Sequence, residues 1–393
     1  MSTALLMLLL SRHAIAQGTV DAGFDPQADN AVAQVVIQAD GKAIIVGTFS
    51  VVAGQPRNSI ARINTDGSLD MGFNPNANGT ISSVAIAGST IYVGGAFTNI
   101  GGQTRNRIAA LDAATGLATS WNPNANSVVN TIAVAGGTVY AGGAFTSIGG
   151  QARNRIAALD AATGLSSAWN PNANNLVSSI AVVGSTVYVG GTFTSIGGQS
   201  RNRIAALDAA TGLSSAWDPN ASSSVSSIAV AGSTVYVGGA FASIGGQSRN
   251  RIAALDAATG LASAWDPNAS SSVSSIAVAG STVYVGGAFT SIGGQSRNRI
   301  AALDVATGAA TSWDPDADGA VSSIAVDGSR VYVGGAFTTI GGQARSRIAR
   351  FAPAVVPSST AASIPTLSEW CLVVLAGLLA AFAAVVTRKT RRA

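Results

Sequence analysis

The chain of 393 residues has a single histidine, a single cysteine and a single glutamate: His13, Cys371 and Glu369, all near its ends. The long middle holds none of the three. That removes histidine acid–base catalysis, Ser-His-Asp and Cys-His nucleophiles, Cys/His zinc centres and disulfide frameworks. Charge is also scarce, at 10% of residues, where an ordinary soluble domain has roughly 25%. The net charge of +4 comes from the ends, because Arg12, Arg388, Lys389, Arg391 and Arg392 are five of the 22 Lys+Arg. The 17 basic residues that remain face 17 Asp. A neutral body gives no reason to expect a nucleic-acid partner. What is abundant is apolar, at 47% of residues with 46 Gly, enough for a large core and too much for simple disorder.

Both ends read as targeting segments. The apolar run Ala4 to Leu10 is followed by Ala14-Ile15-Ala16, an A-x-A pattern that makes residues 1–16 a secretory signal peptide. Its basic n-region is missing and Arg12-His13 follow the apolar run, so either the signal is atypical or the true start lies upstream. At the other end, Cys371 to Val386 is an unbroken apolar stretch of 16 residues. With Trp370 it reaches the lower bound of roughly 17 for a membrane-spanning helix. The basic cluster from Arg388 to Arg392 supplies a cytoplasmic stop, and residues 353–363 form a Pro/Ser/Ala linker.

The segment Ile364-Pro365-Thr366-Leu367-Ser368-Glu369-Trp370, with the helix and basic cluster after it, resembles the IPTLxxWG-type C-terminal sorting domain. The resemblance covers residues 364–393. It implies an exosortase-type sorting protease as partner, membrane attachment through the C-terminal helix before processing, and display on a Gram-negative envelope. Cys371 stands where that family has Gly.

The middle is one unit repeated. Phe49, Phe97, Phe145, Phe193, Phe241, Phe289 and Phe337 are each 48 residues apart, a period that signals a solenoid, propeller or array. Apolar alternation, Gly-Gly pairs and Asp-Ala-Ala-Thr-Gly turns divide each unit into four short strands, as in a propeller blade. The chain opens with Gly18 to Pro26, which repeats the fourth-strand segment Gly67 to Pro75, while the last unit stops after its third strand at Phe351. The start can therefore complete the last blade and leave no open sheet edge. The fold expected is an all-β, seven-bladed propeller of four-stranded blades over residues 17–352, its last blade closed by the N-terminal strand. One C-terminal transmembrane helix follows it. A parallel β-solenoid is the structural alternative. The first copy, Gln38 to Phe73, with its Asp-Gly-Lys turn and RIARINTDGSLD ending, resembles the delta-60 repeat. That resemblance implies a β-propeller on a bacterial surface or secreted protein, without an agreed activity.

Three features could carry chemistry. Arg105, Arg153, Arg201, Arg249 and Arg297 each open an Arg-Asn-Arg element and share a rim with the joining loops, which hold Asp218 and Asp266 after the Trp. They either form a ring of sites for acidic or hydroxyl-rich glycans or tie blades together through bidentate Arg contacts. Trp121, Trp169, Trp217, Trp265 and Trp313 either stack on sugars or pack the blades. Asp314, Asp316 and Asp318 place three carboxylates at alternate positions before Gly319, which suits Ca²⁺ or an acidic Asx-Pro turn. No other cofactor is implied. The expectation is a monomeric, exported, non-enzymatic binding or adhesion scaffold whose partners are surface glycans or proteins. The rival is an extracellular polysaccharide lyase or hydrolase using Asp, Arg and Tyr on the propeller axis.

Overall fold

The computed structural model describes residues 18–352. The expected signal peptide and linker, the sorting motif and the apolar C-terminal segment lie outside the described residues. Among the described residues are seven three-stranded antiparallel sheets, and no helix is long and apolar enough to cross a membrane. In blade five, for example, the strands run Val225–Ala231, Thr234–Gly239 and Ile252–Asp256. The first strands of all seven sheets surround one central cavity.

Strand alternation explains why sheets stack. In the third strand of blade four, Ala205 and Leu207 enter the core shared with blade three, whereas Ile204 and Ala206 enter the core shared with blade five. A strand apolar on both faces is the sequence consequence of being sandwiched. The phenylalanines at the 48-residue spacing are all buried, from Phe49 at 1% exposure to Phe337 at 0%. Burying each stabilises the fold by about 2 kcal/mol. Small residues set the approach between blades. A Cβ on Gly190 would lie 2.5 Å from Cγ1 of Val225 in the next blade, so a side chain there would push the sheets apart.

Two details depart from the sequence expectation. The fourth strand shrinks to a single bridge, such as Leu207↔Ser214 or Leu255↔Ala262. The segment turns away at the Trp, and a proline two residues later, Pro219 or Pro267, has no N–H with which to continue a ladder. The Gly-Gly loop between second and third strands is itself a tiny hairpin, Ser243–Ile244 paired with Gln247–Ser248. Gly245 makes its turn at φ 62°, with the N–H of Ala262 packed against the place a Cβ would occupy.

The ring is closed by the chain's beginning. Val20 bridges Phe351, the Asp21 N–H donates to the Arg350 carbonyl at 2.8 Å, and the Ala352 N–H donates to the Thr19 carbonyl at 3.1 Å. Gly18 to Pro26 thus takes the outer position of the last blade. Phe24 packs edge-on against Tyr332 at 5.5 Å.

Candidate functional site: the blade rim and the axial channel

The Arg-Asn-Arg element is a three-pronged tie. In blade four, Arg201 donates through Nη1 to the Ser200 carbonyl at 2.8 Å and through Nη2 to the Ser215 carbonyl at 2.6 Å. Asn202 donates to Oδ1 of Asn220 in the joining loop at 2.8 Å. Arg203 donates to the Ala221 carbonyl at 3.1 Å. Both ends of the tie use left-handed backbone, with φ 64° at Arg203 and 53° at Asn220. Asn adopts that region readily, whereas an arginine does so at a cost that its hydrogen bonds offset. The same geometry recurs at Arg249, where Nη2 reaches the Ser263 carbonyl at 2.6 Å, and at Arg297, where it reaches the Thr311 carbonyl at 2.6 Å.

Carboxylates face some of these arginines. Asp218 lies 3.6 Å from Arg201, Asp266 lies 3.6 Å from Arg249, and Asp314 lies 3.3 Å from Arg297. In blade seven the N-terminal segment supplies Asp25, 3.8 Å from Arg345. Blades two and three have Asn122 and Asn170 at this position, so Arg105 and Arg153 keep their carbonyl contacts without a carboxylate.

The tryptophans lie between blades. Trp217 is buried, meets Tyr188 edge-on at 5.3 Å, and donates from Nε1 to the Asp256 carbonyl of the next blade at 3.0 Å. Trp121, Trp169 and Trp265 make the same bond to Asp160, Asp208 and Asp304. A sugar has no access to a stacking face here.

Asp314, Asp316 and Asp318 have separate partners, the arrangement of the acidic turn rather than of the three-carboxylate Ca²⁺ site that was its alternative. Asp314 pairs with Arg297, and Asp316 accepts from Asn298 at 2.7 Å. Asp318 accepts the N–H groups of Thr338 and Thr339 at 2.7 and 2.9 Å, as well as the Thr338 hydroxyl. Among the described residues no three His, Cys, Asp or Glu side chains gather in a way that could hold a metal. Partial burial works to raise the Asp318 pKa, but the hydrogen bonds from Thr338 and Thr339 outweigh it and bring the value to about 2.

The axial cavity, of about 280 Å³, is lined by Ser82, Asn130, Ser178, Ser226, Ser274 and Ser322 with their neighbours. A bulge in each first strand turns two successive residues toward the axis and the next blade. The second of them ties the ring: Oγ of Ser227 accepts the Ile276 N–H at 3.1 Å, and Oγ of Ser323 accepts the Val35 N–H at 3.0 Å. The lining is of Ser, Thr, Asn, Gln and apolar residues and includes no Asp, Arg or Tyr. The tyrosines sit between blades, and burial pushes the phenols of Tyr188 and Tyr284 up. The turn aspartates are committed as caps, with Asp208 accepting from the Thr211 N–H at 2.7 Å and its hydroxyl at 2.8 Å.

Sequence reasoning singled out charged residues and passed over the rim grooves. One groove of about 590 Å³ runs between the joining loop Asn170-Pro171-Asn172 and the hairpin from Ser195 to Ser200, with exposed Leu213 at its edge. Its counterpart two blades on, about 520 Å³, replaces Asn170 by Asp266 and keeps Asn268, Gln295 and Ser296. The signal for them was the repeated Gly-Gly-Gln beside a repeated Pro-Asn.

The fold and rim define a repeat β-propeller whose blades are joined by side chain-to-backbone ties. Over residues 71–315 the chain matches the family described as outer membrane protein assembly factor BamB, and it belongs to that family. Residues 38–73 and 329–354 match the family described as a domain of unknown function (DUF5122) beta-propeller. Residues 362–393 match the IPTL-CTERM motif, a sorting signal that directs export and surface display. No curated protein matches the chain. Among solved structures, BamB from Moraxella catarrhalis is 18% identical with a TM-score of 0.51, covering 85% of this chain and 97% of its own. The WD40 propeller domain of Doa1 is 12% identical with a TM-score of 0.56, covering 85% and 96%. The computationally designed Ika8 protein is 15% identical at 0.51, covering 85% and 99%. These likenesses concern the fold alone.

Proposed function

We propose that this surface-directed propeller is a non-enzymatic binding or adhesion scaffold, and that its rim grooves hold glycans. The observation that carries the reading is the recurrence of one groove, with amide and hydroxyl groups from Asn170, Asn172, Gln199 and Ser200 in one blade and from Asn268, Gln295 and Ser296 in another. Neutral donors and acceptors beside an exposed apolar side chain suit sugar hydroxyls and the apolar face of a sugar ring. Several weak copies on one body bind a repeating polymer far more tightly than any single copy. Processing by an exosortase-type enzyme in a Gram-negative envelope completes the proposal. A role in outer membrane protein assembly draws on the family's name alone, and the rim geometry adds nothing to it.

The test is a glycan array probed with the full exported protein. Binding to a polysaccharide that falls when Gln199 and Gln295 are both changed to Ala supports the reading. Turnover of any polysaccharide, abolished by one Asp→Asn change, would replace it with the enzymatic one.

A further inference from the structure

Seven arginines occupy one equivalent position, and four of them have a carboxylate beside the guanidinium: Asp218, Asp266 and Asp314 at 3.3–3.6 Å, and Asp25 at 3.8 Å. In three consecutive blades the matching residue is Asn74, Asn122 or Asn170. The guanidinium is held in the same way in both sets. Arg153 donates to the Ala152 carbonyl at 2.8 Å and the Ser167 carbonyl at 2.6 Å, as Arg201 does to Ser200 and Ser215. The Nε of each of these arginines is buried without a hydrogen-bond partner, and it is Nη1 that faces the carboxylate in the Asp-bearing blades. The Asp-bearing blades show where an anion sits. Arg57 is 4% exposed and closed off, which leaves Arg105 and Arg153, both partly buried, as the arginines with solvent access and no carboxylate.

We propose that Arg105 and Arg153 are anion subsites for a carboxylate-bearing polysaccharide, whose acid group takes the place that Asp218 and Asp266 occupy in their own blades. This rests on the rim-binding reading above. The 590 Å³ groove passes Asn170, so a chain lying in it brings a carboxylate past Arg153 while its hydroxyls meet Asn172, Gln199 and Ser200. Charge-assisted bonds to guanidinium are about twice as strong as neutral ones, so these two blades outweigh the rest for an acidic ligand. The hydroxyl and amide lining favours a sugar polymer over an acidic peptide.

The experiment is calorimetric titration of polygalacturonate, methyl-esterified polygalacturonate and polyglutamate into the full exported protein. The double variant Asn122→Asp, Asn170→Asp borrows residues that sister blades already tolerate, so it keeps its melting temperature. It is expected to lose at least about tenfold in affinity for polygalacturonate. The reverse variant Asp218→Asn, Asp266→Asn is expected to gain affinity, which no loss of folding can imitate. Unchanged polygalacturonate binding in both variants, or binding of polyglutamate alone, overturns the inference. Binding of the esterified polymer alone overturns it and leaves the rim reading standing, whereas an array with no glycan bound removes both.

Discussion

Asp21 and Arg350, 329 residues apart in the chain, meet in an ion pair at 2.6 Å that joins the start of the protein to its last blade. Arg350 lies over the Phe24 ring at 4.6 Å and donates to the Thr65 carbonyl of blade one at 2.6 Å. Blade one repeats the arrangement, with Arg62 paired to Asp70 at 2.9 Å, stacked over Phe73 at 4.4 Å and reaching the Ala113 carbonyl of blade two. In blades two to six the arginine becomes Ala and the phenylalanine becomes Trp, as at Ala110 and Trp121; in blades two to five the indole N–H makes the bond to the next blade, and in blade six Trp313 packs edge-on against Phe351 of blade seven instead. Two side-chain combinations therefore fill the same space and perform the same task. The exchange is a paired one.

Arg350→Ala removes the ion pair, the stacking and the bond to blade one together. The expected loss is about 3 kcal/mol of unfolding free energy in urea, the scale for breaking a largely buried pair. Removing Asp70 in blade one should cost less, because that blade is held covalently on both sides. Equal costs would mean that the pair at the seam has no special role in closure.

Deleting residues 17–26 strips the seam of Val20, Asp21, Phe24 and Asp25 and exposes the edge strand Ile348–Phe351. An unpaired edge recruits other chains. Light scattering should show aggregation, and the remaining monomer should melt well below the intact protein. Unchanged melting would show that the ring does not depend on this segment.

Much of this was legible beforehand. The 48-residue spacing of Phe49 to Phe337 reads as blades, and the match between Gly18–Pro26 and Gly67–Pro75 reads as closure, because both are covalent regularities of the sequence. The repeat alone leaves the roles of Arg201 and Trp217 open, since a side chain that packs the fold and one that offers itself to a ligand repeat equally well. The partners separate them: the Trp217 N–H reaches the Asp256 carbonyl of the next blade and is committed to packing, whereas Arg201 spends its N–H groups on carbonyls of its own blade and still faces Asp218. Asp314, Asp316 and Asp318 stay open between a Ca²⁺ site and an acidic turn for a related reason. Alternate spacing puts carboxylates on one face of an extended strand, but Asp316 sits at φ 47° and turns the chain between them. The rim grooves form between the Pro-Asn and Gly-Gly-Gln loops, whose repetition marks the places but names no ligand chemistry.

Trp217 separates packing from hydrogen bonding. Trp217→Phe keeps the edge-on contact with Tyr188 and loses the bond to Asp256, for an expected cost of about 1 kcal/mol. Trp217→Ala also opens a cavity between blades four and five and should cost about 3–5 kcal/mol. Similar values for the two would place the whole contribution in the hydrogen bond.

The sorting motif can be tested without reference to a ligand. Trp370→Ala, in a segment matched as a C-terminal sorting signal, should leave the precursor unprocessed and reduce its display at the cell surface. Restoring glycine with Cys371→Gly should speed processing. Immunoblots of membrane and surface fractions read both, and normal display of the Trp370→Ala protein would show that the tail is not used.

Acid should loosen the molecule first at the joint into blade seven. The carboxyl of Asp318 has a pKa of about 2 in the folded protein, below its ordinary value of 3.8, because Thr338 and Thr339 hydrogen-bond to the charged form. A lowered folded value means that the stabilisation is complete above pH 3.8 and is lost as the pH falls toward 2. Asp29, at the matching position of blade one, is lowered too, with the Ser50 hydroxyl and the Val51 and Ser50 N–H groups outweighing the cost of burial. Blades two to four carry Asn78, Asn126 and Asn174 there. Asn126 accepts from the Thr146 and Ser147 N–H groups at 2.9 and 3.1 Å and donates to the Thr146 hydroxyl at 2.8 Å. Asp318→Asn should therefore fold normally and flatten the fall in melting temperature between pH 4 and pH 2, about the range these pKa values span. Adding Asp29→Asn should flatten it further. If both variants follow the wild-type curve across that range, the acid-sensitive groups lie elsewhere, and the Asp21–Arg350 seam is the next to examine.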